Sequence, residues 1–174
     1  MKLLYLNKGE KESWLPRMFE LYYENMATIA PSGMSYEAER AEWMSNVGPA
    51  LDKAPRQVLL ALDEEKLAGF VMFYIRNNLL MVEEVQIRRE NQGGLLFLQL
   101  CRKLLADLPE QICRVEAYAH RGNDRSRKLM ARLGMEELPE DSPFVHLRGD
   151  ARTIGTHLGY PNSKNSFGGY HEPL

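Results

Sequence analysis

The chain has 174 residues, 44% of them hydrophobic and 26% charged, with a formal net charge of −2. That length fits one domain with a real core, and a mixed charge with no basic run or aromatic-interleaved basic stripe excludes nucleic acid as an expected partner. No apolar stretch reaches bilayer length, and Lys8, Glu10, Lys11 and Glu12 interrupt any signal-like segment, so the expectation is a cytoplasmic protein with no membrane partner.

Residues 1–6 read as a short strand. Ser13 reads as the N-cap of a helix over 14–27 with Pro16 in its first turn, and Leu15, Met18, Phe19, Tyr22 and Met26 follow helical spacing. Pro31-Ser32-Gly33 breaks the chain. Ser35 then caps a second, acidic helix carrying Glu37, Glu39, Glu42 and Trp43, which Gly48 and Pro49 end or kink. Residues 58–62 and 67–75 are strands joined by a polar turn, and Arg76-Asn77-Asn78 turns into the next strand.

That next stretch is the most informative of the chain. An apolar strand over 79–89 runs through Glu90-Asn91-Gln92-Gly93-Gly94 into a long apolar helix over 95–108. A helix that opens after such a turn presents unpaired N–H groups and the positive end of its dipole, which is a site for an anion and above all for phosphate. Two carboxylates, Glu83 and Glu84, stand in the strand that leads there. A phosphate cradle beside a general base suggests a transferase that holds a phosphorylated cofactor; a plain connection with glutamates on a solvent face is the alternative. By strand alternation Glu84 shares a face with Leu80, Val82 and Gln86, and Glu83 with Met81, Val85 and Ile87. If Val85 and Ile87 face the core, Glu84 lines the opposite face and is the favoured base.

Residues 112–120 read as another strand and 124–133 as a short helix with Gly134 as its C-cap. A last strand is expected over 144–147. Cys101 and Cys113 lack metal-like spacing and read as reduced, buried thiols. The order β-α-α-β-β-β-α-β-α-β implies an α/β (α+β) fold in which a mixed, mostly antiparallel central sheet carries helices on both faces. Residues 1–150 form one domain in this reading. Residues 151–174 are an extension without periodicity, whose Ile154, Leu158, Tyr160, Phe167 and Tyr170 make it a candidate docking arm, with a homodimer as the first choice.

Two blocks carry a family resemblance. One is the apolar strand with Glu83-Glu84-Val85-Gln86-Ile87, followed by Gln92-Gly93 and the long helix. The other is Ala119-His120-Arg121-Gly122-Asn123 with a helix closing in Leu133-Gly134-Met135. With the element order, these blocks resemble the GNAT superfamily of acyl-CoA-dependent N-acyltransferases over roughly residues 58–135. The resemblance implies an N-acetyltransferase that moves an acetyl group from acetyl-CoA to a primary amine of a small molecule or peptide. It implies that the pantetheine arm lies along the backbone of Val85, Gln86 and Ile87, that Gln92, Gly93, Gly94 and Leu95 cradle the pyrophosphate, and that Asn123 bonds the cofactor or caps its helix. Glu84, Glu83 or His120 would take the amine's proton. Arg125, Arg127, Lys128 and Arg132 would lie near the adenosine end. No metal is implied. The chain departs from the family pattern at Leu95 and Phe97, where small residues are usual, and at Met130, where the family often has a tyrosine. A non-catalytic GNAT-like binding or structural module with impaired CoA binding is the alternative.

Overall fold

The computed structural model describes residues 1–53 and 55–159. Seven strands form one sheet: β1 (Lys2–Tyr5), β2 (Gln57–Asp63), β3 (Lys66–Arg76), β4 (Leu79–Ile87), β5 (Arg114–His120), β6 (Glu136–Leu138) and β7 (Phe144–Asp150). Their order across the sheet is β1-β2-β3-β4-β5-β7-β6. Among the described residues only the β4–β5 pair is parallel. Five α-helices complete the described residues: α1 (Lys11–Ile29), α2 (Tyr36–Asp52), α3 (Leu96–Asp107), α4 (Asp124–Arg132) and α5 (Ala151–His157).

The sheet divides the core in two. On one face Leu15, Met18, Phe19 and Leu21 of α1 and Trp43, Val47 and Leu51 of α2 pack on Val58, Leu60, Phe70 and Met72. On the other, Leu96, Leu100 and Leu104 of α3 pack with Leu59, Val71, Leu80, Val115 and Leu147, joined by Leu133 after α4 and Ile154 of α5. The uninterrupted apolar run 58–62 is thus a strand buried on both faces. The expected mixed sheet with helices on both faces is the observed architecture.

Several local expectations are corrected. Helix α1 starts at Lys11, not after Ser13, because Asn7 caps a 3-10 turn (Gly9 N–H to Asn7 Oδ1, 3.1 Å) that runs straight into it. Ser13 donates to the Glu10 carbonyl instead (2.7 Å), and Pro16 falls inside the helix. Gly48 and Pro49 do not end α2, which continues to Asp52. Lys11 satisfies that end: its Nζ reaches the Gly48 carbonyl (3.4 Å) and pairs with Asp52. Strand β6 pairs only with β7 and is too short and charged to show a period. Helix α5 begins where no periodicity is visible; Asp150 caps it (Thr153 N–H to Oδ1, 2.8 Å), and Ile154 and Leu158 are buried on the chain's own sheet. Tyr160, Phe167 and Tyr170 lie outside the described residues. Cys113 is exposed rather than buried, whereas burial pushes the Cys101 thiol up to about 12.

Candidate active site

The site is organised by one irregularity. In the β3–β4 ladder Met72 pairs with Glu84 and Phe73 with Val82, so Glu83 is an extra residue in β4, a β-bulge. An inserted residue reverses the alternation beyond it. Leu80 and Val82 before the bulge, and Val85 and Ile87 after it, all pack in the core under α3. The expected grouping of Leu80 and Val82 with Glu84 and Gln86 therefore does not hold. Glu84 still faces away from Val85 and Ile87, toward α1 and α2, where it meets Trp43 and Tyr22.

The bulge also separates β4 from β5. Their parallel ladder pairs Leu79–Val82 with residues 114–117 and stops there, although β4 runs to Ile87 and β5 to His120. The Arg88 N–H donates to the Ala68 carbonyl (2.8 Å). By the alternation of an antiparallel pair, Gln86 then spends its backbone groups on β3, while Val85 and Ile87 turn theirs toward the opening. The Ile87 carbonyl already accepts from the amides of Asn25 (3.1 Å) and Gln92 (2.8 Å). Behind the opening lies a cavity of about 50 Å³ lined by apolar side chains, among them Val82, Val85, Phe97, Cys101 and Met130.

The two adjacent glutamates live in different surroundings. Glu83 holds Arg56 in a two-point ion pair (Nε to Oε2, 2.6 Å; Nη2 to Oε1, 2.7 Å), and that guanidinium lies 5.6 Å from the Tyr74 ring centre. Among the described residues no cation pairs with Glu84. Its carboxyl accepts from the Gln86 amide (3.0 Å) and from the Trp43 indole. Burial raises its pKa to about 7, assisted by the neighbouring charge of Glu83 and opposed by the two donors. A carboxyl poised there is half ionised near neutral pH, which suits a general base.

At the far end of β4 the turn leads into α3, whose N-cap Leu95 makes no side-chain bond to the first turn. The first N–H groups of α3 are left for an outside acceptor. Gly93 sits at φ +84°, and a Cβ there would stand 3.2 Å from Arg125 Nη2; only glycine fits without strain. Gly94 has no such restriction, its nearest neighbour being the Asn91 carbonyl at 3.6 Å. Leu95 points outward, 66% exposed, and Phe97 turns into the core, so neither bulky residue fills the turn itself.

The remaining expected residues are placed as follows. Asn123 is the N-cap of α4, its Oδ1 accepting from the Ser126 N–H (3.0 Å). His120 accepts the Gly122 N–H on Nδ1 (3.2 Å) and meets the Phe144 ring edge-on at 5.7 Å. Arg125 reaches back to the turn, donating to Gln92 Oε1 (3.1 Å), whereas Arg127 is taken by Glu137 (2.7 Å). Sequence reasoning missed Asn25, which bonds Gln86 Oε1 (2.8 Å) as well as Ile87. A signal was present: Asn25 follows Tyr22 at helical spacing, a polar residue on an otherwise apolar stripe. Among the described residues no group of His, Cys, Asp and Glu could hold a metal ion, and no helix is long and apolar enough to cross a membrane.

Residues 15–135 match the acetyltransferase (GNAT) family. No curated protein matches the chain by sequence. Among solved structures it is similar to a PaiA N-acetyltransferase from Thermoplasma acidophilum in complex with coenzyme A (15% identity, TM-score 0.66, covering 86% of this chain and 99% of that one). It is also similar to an acetyltransferase from Thermus thermophilus (16% identity, TM-score 0.67, covering 86% and 97%). A third is a ribosomal-protein-alanine N-acetyltransferase from Brucella melitensis (16% identity, TM-score 0.58, covering 86% and 99%). At such identities these likenesses establish the fold alone.

Proposed function

Since the chain belongs to the acetyltransferase (GNAT) family, we propose that it moves an acetyl group from acetyl-CoA to a primary amine by direct attack, with Glu84 as general base. The observation that carries this reading is Glu84 itself. It is a carboxyl with no ion-pair partner among the described residues and a pKa raised to about 7, next in sequence to the residue whose backbone turns into the opening between β4 and β5.

The residues present fit such a cofactor. The Val85 carbonyl and the Ile87 N–H, which face the open edge, would bond the pantetheine amides as an added strand, the Ile87 carbonyl being taken by Asn25 and Gln92. The turn from Gln92 to Leu95 and the first turn of α3 would take the pyrophosphate, with Arg125 supplying positive charge. Asn123 would hold the end of α4 against the arm. When bound, acetyl-CoA supplies an activated thioester carbonyl. The Val85 N–H would hydrogen-bond that carbonyl's oxygen. Glu84 accepts the amine's proton on a carboxylate oxygen, and the indole of Trp43 and amide of Gln86 fix where that oxygen stands. Met130 would offer no proton to a departing thiolate. Glu83 is committed to Arg56, and His120 to its own turn.

Acetyl-CoA at millimolar concentration should raise the melting temperature, because a ligand of the native state stabilises by mass action. Gly93→Val should remove that shift. Absence of any shift in a folded wild-type protein would favour the second reading, a non-catalytic module, which the exposed Leu95 at the mouth of the turn also suits.

A further inference from the structure

Four hydrogen bonds run from Arg125 and the cofactor turn to Glu84, and Asn25, at the centre of the row, is the one member to which the proposed reaction gives no role. Arg125 Nη1 donates to Gln92 Oε1 (3.1 Å), Gln92 Nε2 to Asn25 Oδ1 (3.2 Å), Asn25 Nδ2 to Gln86 Oε1 (2.8 Å), and Gln86 Nε2 to Glu84 Oε1 (3.0 Å). The chain crosses four elements: α4, the turn before α3, α1 and β4. Every amide donates in the same direction. A guanidinium stands at the head of the row and a carboxylate at its tail, so the amide dipoles are aligned and each bond strengthens the next.

The middle of the row is anchored. Asn25 and Gln92 both donate to the Ile87 carbonyl, at 3.1 Å and 2.8 Å, which fixes which way each amide faces. Gln86 is buried, and it holds one rotamer only if its carbonyl oxygen has a donor; Asn25 is that donor. Without it, the Gln86 amide can turn and its N–H no longer addresses Glu84.

We propose that Asn25 is a positioning residue: through Gln86 it holds the base Glu84 in place and in its ionised form, and through Gln92 it ties that base to the turn that receives the cofactor's phosphates. This rests on the proposed acetyltransfer. The other groups around Glu84 are Trp43 of α2, Tyr22 of α1 and the adjacent Glu83, which is paired with Arg56. Glu39 and Glu42 of α2 act on Tyr22. None of these hydrogen-bonds the Asn25 side chain, whose partners are Gln86, Ile87 and Gln92, so a shift in Glu84's titration on removing Asn25 reports the row of amides.

The test is the pH dependence of turnover, followed as free thiol released from acetyl-CoA with a panel of primary amines. Asn25→Leu keeps the volume and removes both hydrogen-bonding functions; Gln86→Met does the same one step nearer the base. In each variant the acid limb of kcat should move to higher pH. Turnover should fall about tenfold near pH 6.5 and return to within about threefold of wild type near pH 9, with the KM for acetyl-CoA changed less than kcat. The double variant should show no larger shift than Gln86→Met alone, since both act through one bond. A wild-type acid limb in a folded Asn25→Leu, or shifts that simply add, would overturn the inference. If Asn25→Leu does not fold, an unmoved limb in Gln86→Met overturns it. A wild-type protein that releases no thiol with any amine would instead overturn the acetyltransfer reading, and this inference with it.

Discussion

Before the bulge, residues Leu79–Val82 of β4 are paired with β3 on one edge and with β5 on the other; after it, residues 84–87 keep β3 and lose β5. The first half buries Leu80 at 1% exposure in the core. The second carries a carboxyl with a raised pKa, two backbone residues turned into an opening, and the chain's descent into the α3 turn. One inserted residue separates the two regimes. A strand that stayed paired would bury its backbone groups in a ladder and bring Glu84 to the α3 side, among apolar neighbours. The bulge leaves an edge unpaired and turns the carboxyl to the α1–α2 side; in the proposed reaction that edge takes acetyl-CoA and that side the amine. Strands gain stability by pairing; the proposed reaction needs that pairing to stop.

Substitutions on either side of Glu83 should therefore fail in different ways. Glu84→Gln should lower turnover by roughly 10²–10⁴-fold, with acetyl-CoA affinity nearly unchanged, as expected for loss of a general base. Glu83→Gln should lower it by less than about tenfold, since that carboxylate serves Arg56. Steady-state thiol release measures both. Comparable losses at the two positions would break the contrast.

In the paired half the expected loss is of stability. Leu80→Ala should cost about 2–5 kcal/mol in urea unfolding, the range for emptying a fully buried leucine site. At the turn, Gly93→Val should cost about 1–3 kcal/mol for placing a branched residue at positive φ. Gly94→Ala should be close to neutral because nothing crowds its Cβ position. Equal costs at the two glycines would mean that the turn does not depend on the Gly93 conformation.

A smaller effect carries a definite sign. Burial raises the Glu84 pKa from 4.5 to about 7, so the folded state favours its protonated form. The stability this contributes is complete below about pH 4.5 and is lost as pH rises through about 7. Compared with Glu84→Gln, which does not titrate, the wild-type protein should lose ground over that interval in melting temperature. Parallel curves would indicate a carboxyl with an ordinary pKa.

Much of this arrangement was legible in the sequence, and the reasons differ from residue to residue. Apart from β6 and α5, the strands and helices were readable from periodicity and turn residues, and the turn before α3 from Gln92-Gly93-Gly94 between an apolar strand and an apolar helix. Asn123 was readable as a cap because capping is a contact three residues long. The bulge was not readable, since an inserted residue leaves the composition of the strand unchanged and shows itself only against its partner. Nor was the ion pair that engages Glu83, since Arg56 lies 27 residues away in sequence. Gly48 and Pro49 suggested a break that Lys11 compensates from another helix. Asn25 announced itself only as a polar residue on an apolar stripe, and its partners come from β4 and the turn.

The most direct measurement is the pH profile of thiol release from acetyl-CoA for wild type and Glu84→Gln, using a panel of primary amines. The expected result is an acid limb in the wild type with an inflection at about 7, absent from a much slower Glu84→Gln. A variant that turns over at the wild-type rate with the same inflection would contradict Glu84 as the base.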